Sequence, residues 1–155
     1  MQKIFIGTDH AGFELKEKLK PFLEELGYKV VDKGAFIYDE KDDYPNFISL
    51  VAEEVSKDQK NSKGIILGGS GQGEAMISDR FSNVRTAVYY GGNIEVIKLS
   101  REHNDSNILS LGARFITEEQ AKTAVKLWLD TEFSKEERHI RRIKEIDSLG
   151  NSVSK

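Results

Sequence analysis

Ten consecutive residues, Ile65-Ile66-Leu67-Gly68-Gly69-Ser70-Gly71-Gln72-Gly73-Glu74, join an apolar run, a loop of small residues and a carboxylate. The run predicts a buried strand opening into an anion-binding turn. Gly and Ser let backbone N–H groups come close to an oxygen-rich ligand, and the next helix aims its positive end at the same place. Gly68 and Gly73 have P-loop spacing, yet Glu74-Ala75 stands where Lys and Ser/Thr would hold polyphosphate and magnesium, which argues against a nucleoside triphosphate site. The dinucleotide fingerprint fails as well, since Gly69 and Gly71 require a third Gly at the position of Glu74. A carboxylate in this setting suits proton transfer. Glu74 equally fits a structural role as a first-turn acid, worth a few tenths to ~1 kcal/mol through the helix dipole.

Other polar residues stand where side chains reach a ligand. Asp9-His10 directly follows the short apolar segment Ile4-Phe5-Ile6; a helix cap for Asp9 and a turn role for His10 are the plainer readings. His103 and Asn104 lie in Arg101-Glu102-His103-Asn104-Asp105 at a helix end, a place where the dipole alone favours a charged His. Arg138 and Arg142 are one helical turn apart and could grip a phosphate with two forks, with His139 and Arg141 pointing elsewhere. Pairing with Glu136, Glu137 and Glu145 on a solvated face explains them too. Arg114 follows Gly112-Ala113 and Tyr44 follows Asp43; either fits a structural or a ligand-facing role. The three histidines have no recognisable ligand spacing, so no metal site is expected.

These residues need a scaffold, and the chain alternates strand and helix patterns throughout. Apolar strands at Ile4–Ile6, Tyr28–Asp32, Gly64–Leu67, Thr86–Tyr90 and Ile108–Leu111 alternate with helical periodicity, and Thr117 with Gln120 forms a capping box. Such order predicts an α/β fold, a Rossmann-like three-layer αβα sandwich on a five-stranded parallel sheet of order 2-1-3-4-5. A last helix from about Lys135 to Leu149 follows, with a frayed tail over 151–155. The ligand crevice belongs at the carboxyl ends of strands one and three, which brings Asp9-His10 beside Ser70 to Glu74.

The 155 residues suit one domain, expected over 1–150. A net charge of −3 argues against nucleic acid, and no run is long enough to span a membrane or resemble a signal peptide, so a cytoplasmic protein is expected. Cysteine is absent, which removes disulfides, thiolate metal sites and thiol catalysis.

Taken together, Gly7-Thr8-Asp9-His10-Ala11-Gly12, Asp43-Tyr44-Pro45, Gly68 through Glu74, Ser100 through Asn104, Leu111-Gly112-Ala113-Arg114 and Arg138-His139-Ile140-Arg141-Arg142 resemble the ribose-5-phosphate isomerase B family, which includes galactose-6-phosphate and allose-6-phosphate isomerases. The likeness runs from Lys3 to about Leu149. It implies a metal-free, cofactor-free interconversion of ribose 5-phosphate and ribulose 5-phosphate through an enediolate, in the pentose phosphate pathway. Many members use a Cys just before the glycine loop as the base; here Gly68 or Gly69 holds that place, and the resemblance assigns the base to Glu74. Helix start and burial pull the pKa of that carboxyl in opposite directions.

The resemblance further implies that Ser70 and the N–H groups of Gly69, Gly71 and Gly73 stabilise the enediolate. His103 would open the sugar ring with Asp9 nearby, and Asn104 would hold a substrate oxygen. His10, Arg114, Arg138 and Arg142 would take the phosphate, with Tyr44 lining the pocket. A homodimer or dimer of dimers with shared sites follows, His103, Asn104 and Arg114 coming from the partner. An isomerase of another sugar phosphate (galactose 6-phosphate, allose 6-phosphate or a tetrose phosphate) and a phosphate-ligand module without catalysis are the alternatives to the ribose 5-phosphate isomerase.

Overall fold

The computed structural model describes residues 2–153. In chain order it comprises β1 (Lys3–Thr8), a 3-10 turn (His10–Gly12), α1 (Phe13–Glu25), β2 (Lys29–Asp32), α2 (Pro45–Lys57), β3 (Ser62–Gly68), α3 (Gln72–Ser78), β4 (Thr86–Tyr89), α4 (Glu95–Glu102), β5 (Ile108–Gly112), α5 (Glu118–Asp130) and α6 (Glu137–Val153). Pro45 opens α2, and Thr117 caps α5 with Gln120 reciprocating, both as expected. The tail expected over 151–155 ends outside the described residues.

Alternation along the strands divides the core in two. Ile4, Ile6, Ile65, Leu67, Leu109 and Leu111 pack on one face against Leu19 and Leu23 of α1, Ile97 of α4 and Ala124, Val125 and Trp128 of α5. Phe5, Ile66 and Ile108 face the other way, onto Ile48, Val51, Ala52 and Val55 of α2. The three layers are therefore those expected, with all strand pairs parallel.

The strand order differs. It is β2-β1-β3-β5-β4, not 2-1-3-4-5. Every residue of β5 is buried, whereas β4 is half-buried over three of its four positions, so the more apolar strand takes the centre and β4 the edge. The switch between β1 and β3 survives, and β5 now flanks the glycine loop as well. None of the described helices is long and apolar enough to cross a membrane.

A buried ion pair orders the segment between β2 and α2. Lys16, fully buried on α1, donates to both oxygens of Asp32 at 2.7 and 2.8 Å and to the Ala35 carbonyl at 2.6 Å. Those three bonds satisfy a charge that would be costly to bury alone. They also anchor the start of the loop that carries Asp42 and Tyr44.

Candidate active site

Residues after β5 hold the glycine loop from one side. The N–H groups of Ala113 and Arg114 donate to the carbonyls of Gly68 and Gly69 at 2.8 and 3.1 Å. The buried Ser110 hydroxyl donates to the Gly71 carbonyl at 2.7 Å. Gly71 adopts φ of 81° as α3 begins, a left-handed turn suited to glycine.

Glu74 occupies the first turn of α3 and is only 4% exposed. Its carboxyl fills the place that a side chain at Gly68 would need. Gly73 is constrained in the same way by Tyr44, whose hydroxyl oxygen would lie 2.5 Å from an added Cβ. Between the opposing influences on Glu74, burial wins: loss of water raises its pKa above the usual 4.5, against the backbone N–H groups, and the Asp9 carboxylate adds to the rise. Such a group holds a proton well enough to return it.

Asp9 is buried, and its Oδ1 accepts from the Ala11 N–H at 3.0 Å, so the capping role read from the sequence is present. Burial raises its pKa too. His10 follows on the 3-10 turn and meets Asp42: its Nδ1 lies 2.7 Å from Asp42 Oδ1. That contact raises the His10 pKa. One ligand atom from each of Asp9, His10 and Asp42 falls within 4.8 Å of the others, a metal-like grouping that histidine spacing did not reveal. The short His10–Asp42 hydrogen bond accounts for it without an ion.

Arg114 requires a correction. Its expected place was the partner's contribution, but the chain's own Arg114 lies over Gly69 and lines a cavity of about 470 Å³ with His10, Ala11, Glu14 and Tyr38. The backbone bonds from the end of β5 to the glycine loop fix its backbone beside Gly69. Asp9, His10, Tyr44, Gly69, Ser70, Gly71, Gly73, Glu74 and Arg114 therefore gather at the carboxyl edge of the sheet.

His103 and Asn104 are elsewhere. α4 runs back against the strands, so its C-cap, His103, reaches the amino edge, where the Asn104 carbonyl accepts from Arg85 just before β4. The seven residues of β3 put about 20 Å between the two edges. His103 stacks on His139 of α6, ring centroids 4.4 Å apart and planes 19° apart. Arg138 and Arg142 stand beside them, both exposed, with Arg138 3.7 Å from Glu136. Arg85 bonds Asp147 at 3.0 Å and so ties α6 to this edge.

Two residues here escaped sequence reading. Asp42 had no spacing signal and stands beside the exposed Asp43, which carried the recognisable Asp-Tyr-Pro pattern. His139 was expected to point away; it is 5% exposed, and burial lowers its pKa, with the neighbouring His103 adding to the effect. The helical period separated it from Arg138 and Arg142, but a stacking partner on another element is invisible to periodicity.

Comparison with known proteins gives the family and the fold. A family model described as Ribose/Galactose Isomerase matches residues 4–146. The ribose-5-phosphate isomerase B of Mycolicibacterium paratuberculosis is 40% identical over 141 residues, covering 91% of this chain and 87% of that protein. The Escherichia coli protein of the same name is 36% identical over 149 residues, covering 96% and 97%. A crystal structure of ribose-5-phosphate isomerase B from Mycoplasma genitalium with bound ribulose-5-phosphate superposes with a TM-score of 0.92 at 33% identity, over 97% of each chain. Fold, motifs and these likenesses agree, and the chain belongs to the ribose/galactose isomerase family.

Proposed function

We propose that this protein interconverts ribose 5-phosphate and ribulose 5-phosphate through an enediolate, without a metal, with Glu74 as the general base. The observation that carries the reading is the buried Glu74 carboxyl, its pKa raised, set against the glycine loop. Glu74 takes the proton from C2 of the open-chain aldose, and the electron pair moves onto O1. It returns the proton to C1, while the O2 hydroxyl proton passes to O1 and leaves the ketone at C2. Ser70 and the N–H groups of Gly69, Gly71 and Gly73 stabilise the charge on the enediolate oxygens.

His103 opens the ring, Asp9 lies near it in the assembled site, and Asn104 holds a substrate oxygen. His10, Arg114, Arg138 and Arg142 bind the phosphate, and Tyr44 lines the pocket. In this reading residues 1–150 act as one cytoplasmic catalytic domain. Because one chain separates Glu74 from His103, the complete site belongs to a homodimer in which the partner supplies His103, Asn104, Arg138 and Arg142. Exposed Ile140 and Ile146 on α6 supply apolar surface suited to such packing.

A panel of ribose 5-phosphate, galactose 6-phosphate, allose 6-phosphate and erythrose 4-phosphate tests the substrate. The highest kcat/KM is expected for ribose 5-phosphate, unchanged by a chelator. Preference for another sugar, or loss of activity on chelation, would sink the respective part of the proposal.

The Gly68 contact yields a second expectation. Gly68→Ala puts a methyl group where the Glu74 carboxyl lies, and the flexible end of Glu74 has to move. Displacing a base by about 1 Å costs on the order of 10²-fold in kcat, while a far side-chain end yields without unfolding the loop. Kinetics alongside thermal melting should show lost turnover at a near-parental Tm.

A further inference from the structure

We propose that Asp42 is a positioning residue that orients His10 and holds it cationic for the substrate phosphate. The inference rests on the isomerase reading above, and it concerns an acid that lies outside every motif in the chain. One oxygen, Oδ1 of Asp42, accepts both the His10 backbone N–H at 3.0 Å and the ring Nδ1 at 2.7 Å. Two bonds to one atom fix the place of residue 10 and the rotation of its ring. With Nδ1 turned to Asp42, the opposite ring nitrogen, Nε2, is left for the cavity that His10 lines with Arg114.

Charge state then decides what His10 offers. A neutral imidazole with its proton on Nδ1 presents only a lone pair at Nε2, which repels a phosphate oxygen. The imidazolium presents an N–H donor and a positive charge. Asp42 is well suited to hold that form: its side chain is 9% exposed, and its Oδ2 is buried with no hydrogen-bond partner among the described residues. A carboxylate so withdrawn from water gains most from a cation beside it.

Other groups facing His10 act in known directions. Asp42, from the loop before α2, favours the charged form most strongly. Partial burial opposes it, Asp9 at 4.0 Å supports it, and Arg114 after β5 opposes it. Glu14 of α1 and Tyr38 line the same cavity, Tyr38 meeting the imidazole edge-on at 6.3 Å between centroids. Asp42 alone among these groups bonds the ring.

A purely structural role, tying the loop before α2 to the 3-10 turn, makes a different prediction. Asp42→Asn keeps an oxygen that can accept both bonds and removes only the charge. The His10 titration, followed by NMR in the full-length protein, should lie above 6.5 in the parent and move down in Asp42→Asn. At pH values above the titrations of both proteins, KM for ribose 5-phosphate should be raised in Asp42→Asn by about ten-fold for each pH unit the titration moves, and it should converge with the parental KM below both titrations. The kcat should change little, since phosphate grip is shared by ground and transition states.

A parental His10 titrating at or below 6.5, a titration unmoved by Asp42→Asn, or a KM ratio constant across pH would each overturn the positioning role. The NMR measurement needs no turnover. Failure of the isomerase reading would appear as an inactive parent, with the Asp42–His10 coupling still measurable.

Discussion

Glu74→Gln is expected to lower kcat for ribose 5-phosphate isomerisation by about 10³-fold, because an amide of the same shape cannot accept the C2 proton. KM changes far less, since Gln fills the same space. The same substitution should stabilise the fold at pH values above the raised Glu74 pKa. The folded-state pKa of Glu74 is raised by burial, so the folded protein prefers the protonated form. The contribution of that preference is fully present below the ordinary carboxylate value and is lost as pH rises through the raised one. Above the raised pKa the parent carries a buried, disfavoured charge that Gln lacks, and the Tm of Glu74→Gln should exceed the parental Tm there and converge with it in acid. Parental kcat/KM should fall on the acid side at a pH above 4.5, where the base takes up its proton. Activity within a few-fold of the parent would remove Glu74 as the base.

Mixing two inactive variants is expected to restore activity. Glu74→Gln disables the carboxyl-edge half-site and His103→Ala the amino-edge one, and the two lie about a strand's length apart in each chain. In a two-fold dimer with shared sites, a mixed pair contains one site with both defects and one with neither. Random re-pairing makes half the dimers mixed, so about a quarter of parental activity returns. The measurement is turnover after co-refolding or co-expression, against each variant alone. If activity stays at the level of the separate variants, the sites are not shared between subunits. The result is independent of whether larger assemblies form.

Much of the carboxyl-edge half-site was legible because its residues are local to strand ends. Asp9-His10 and Ser70 to Glu74 each follow an apolar run, and a parallel sheet brings such ends together. The three layers were legible for the same reason, through the period-two alternation of Ile4, Phe5 and Ile6 and its counterparts on β3 and β5. Strand order was not. It depends on how the half-apolar Thr86–Tyr89 competes with Ile108–Gly112 for the centre, a comparison of burial between distant segments. Asp42 and the His103–His139 stack were hidden by the same limit, since each is a contact between elements that no spacing encodes. The raised pKa of Glu74 likewise needed the burial of its carboxyl, which a helix-start position alone does not supply.

With Glu74 as the proposed base, its contact with Gly68 bears on how the base could change over generations. A side chain at position 68 and the Glu74 carboxylate, as it lies here, compete for one volume, so the flexible end of Glu74 has to shift when position 68 gains a side chain. Either change made alone leaves a crowded pocket or an empty one. Exchange between a thiol and a carboxylate is therefore a coupled event at two positions, with a poorly active single-step intermediate. Cys at 68 should therefore fold while displacing the Glu74 carboxyl, so the order in which substitutions at the two positions arrive decides how much activity each intermediate keeps.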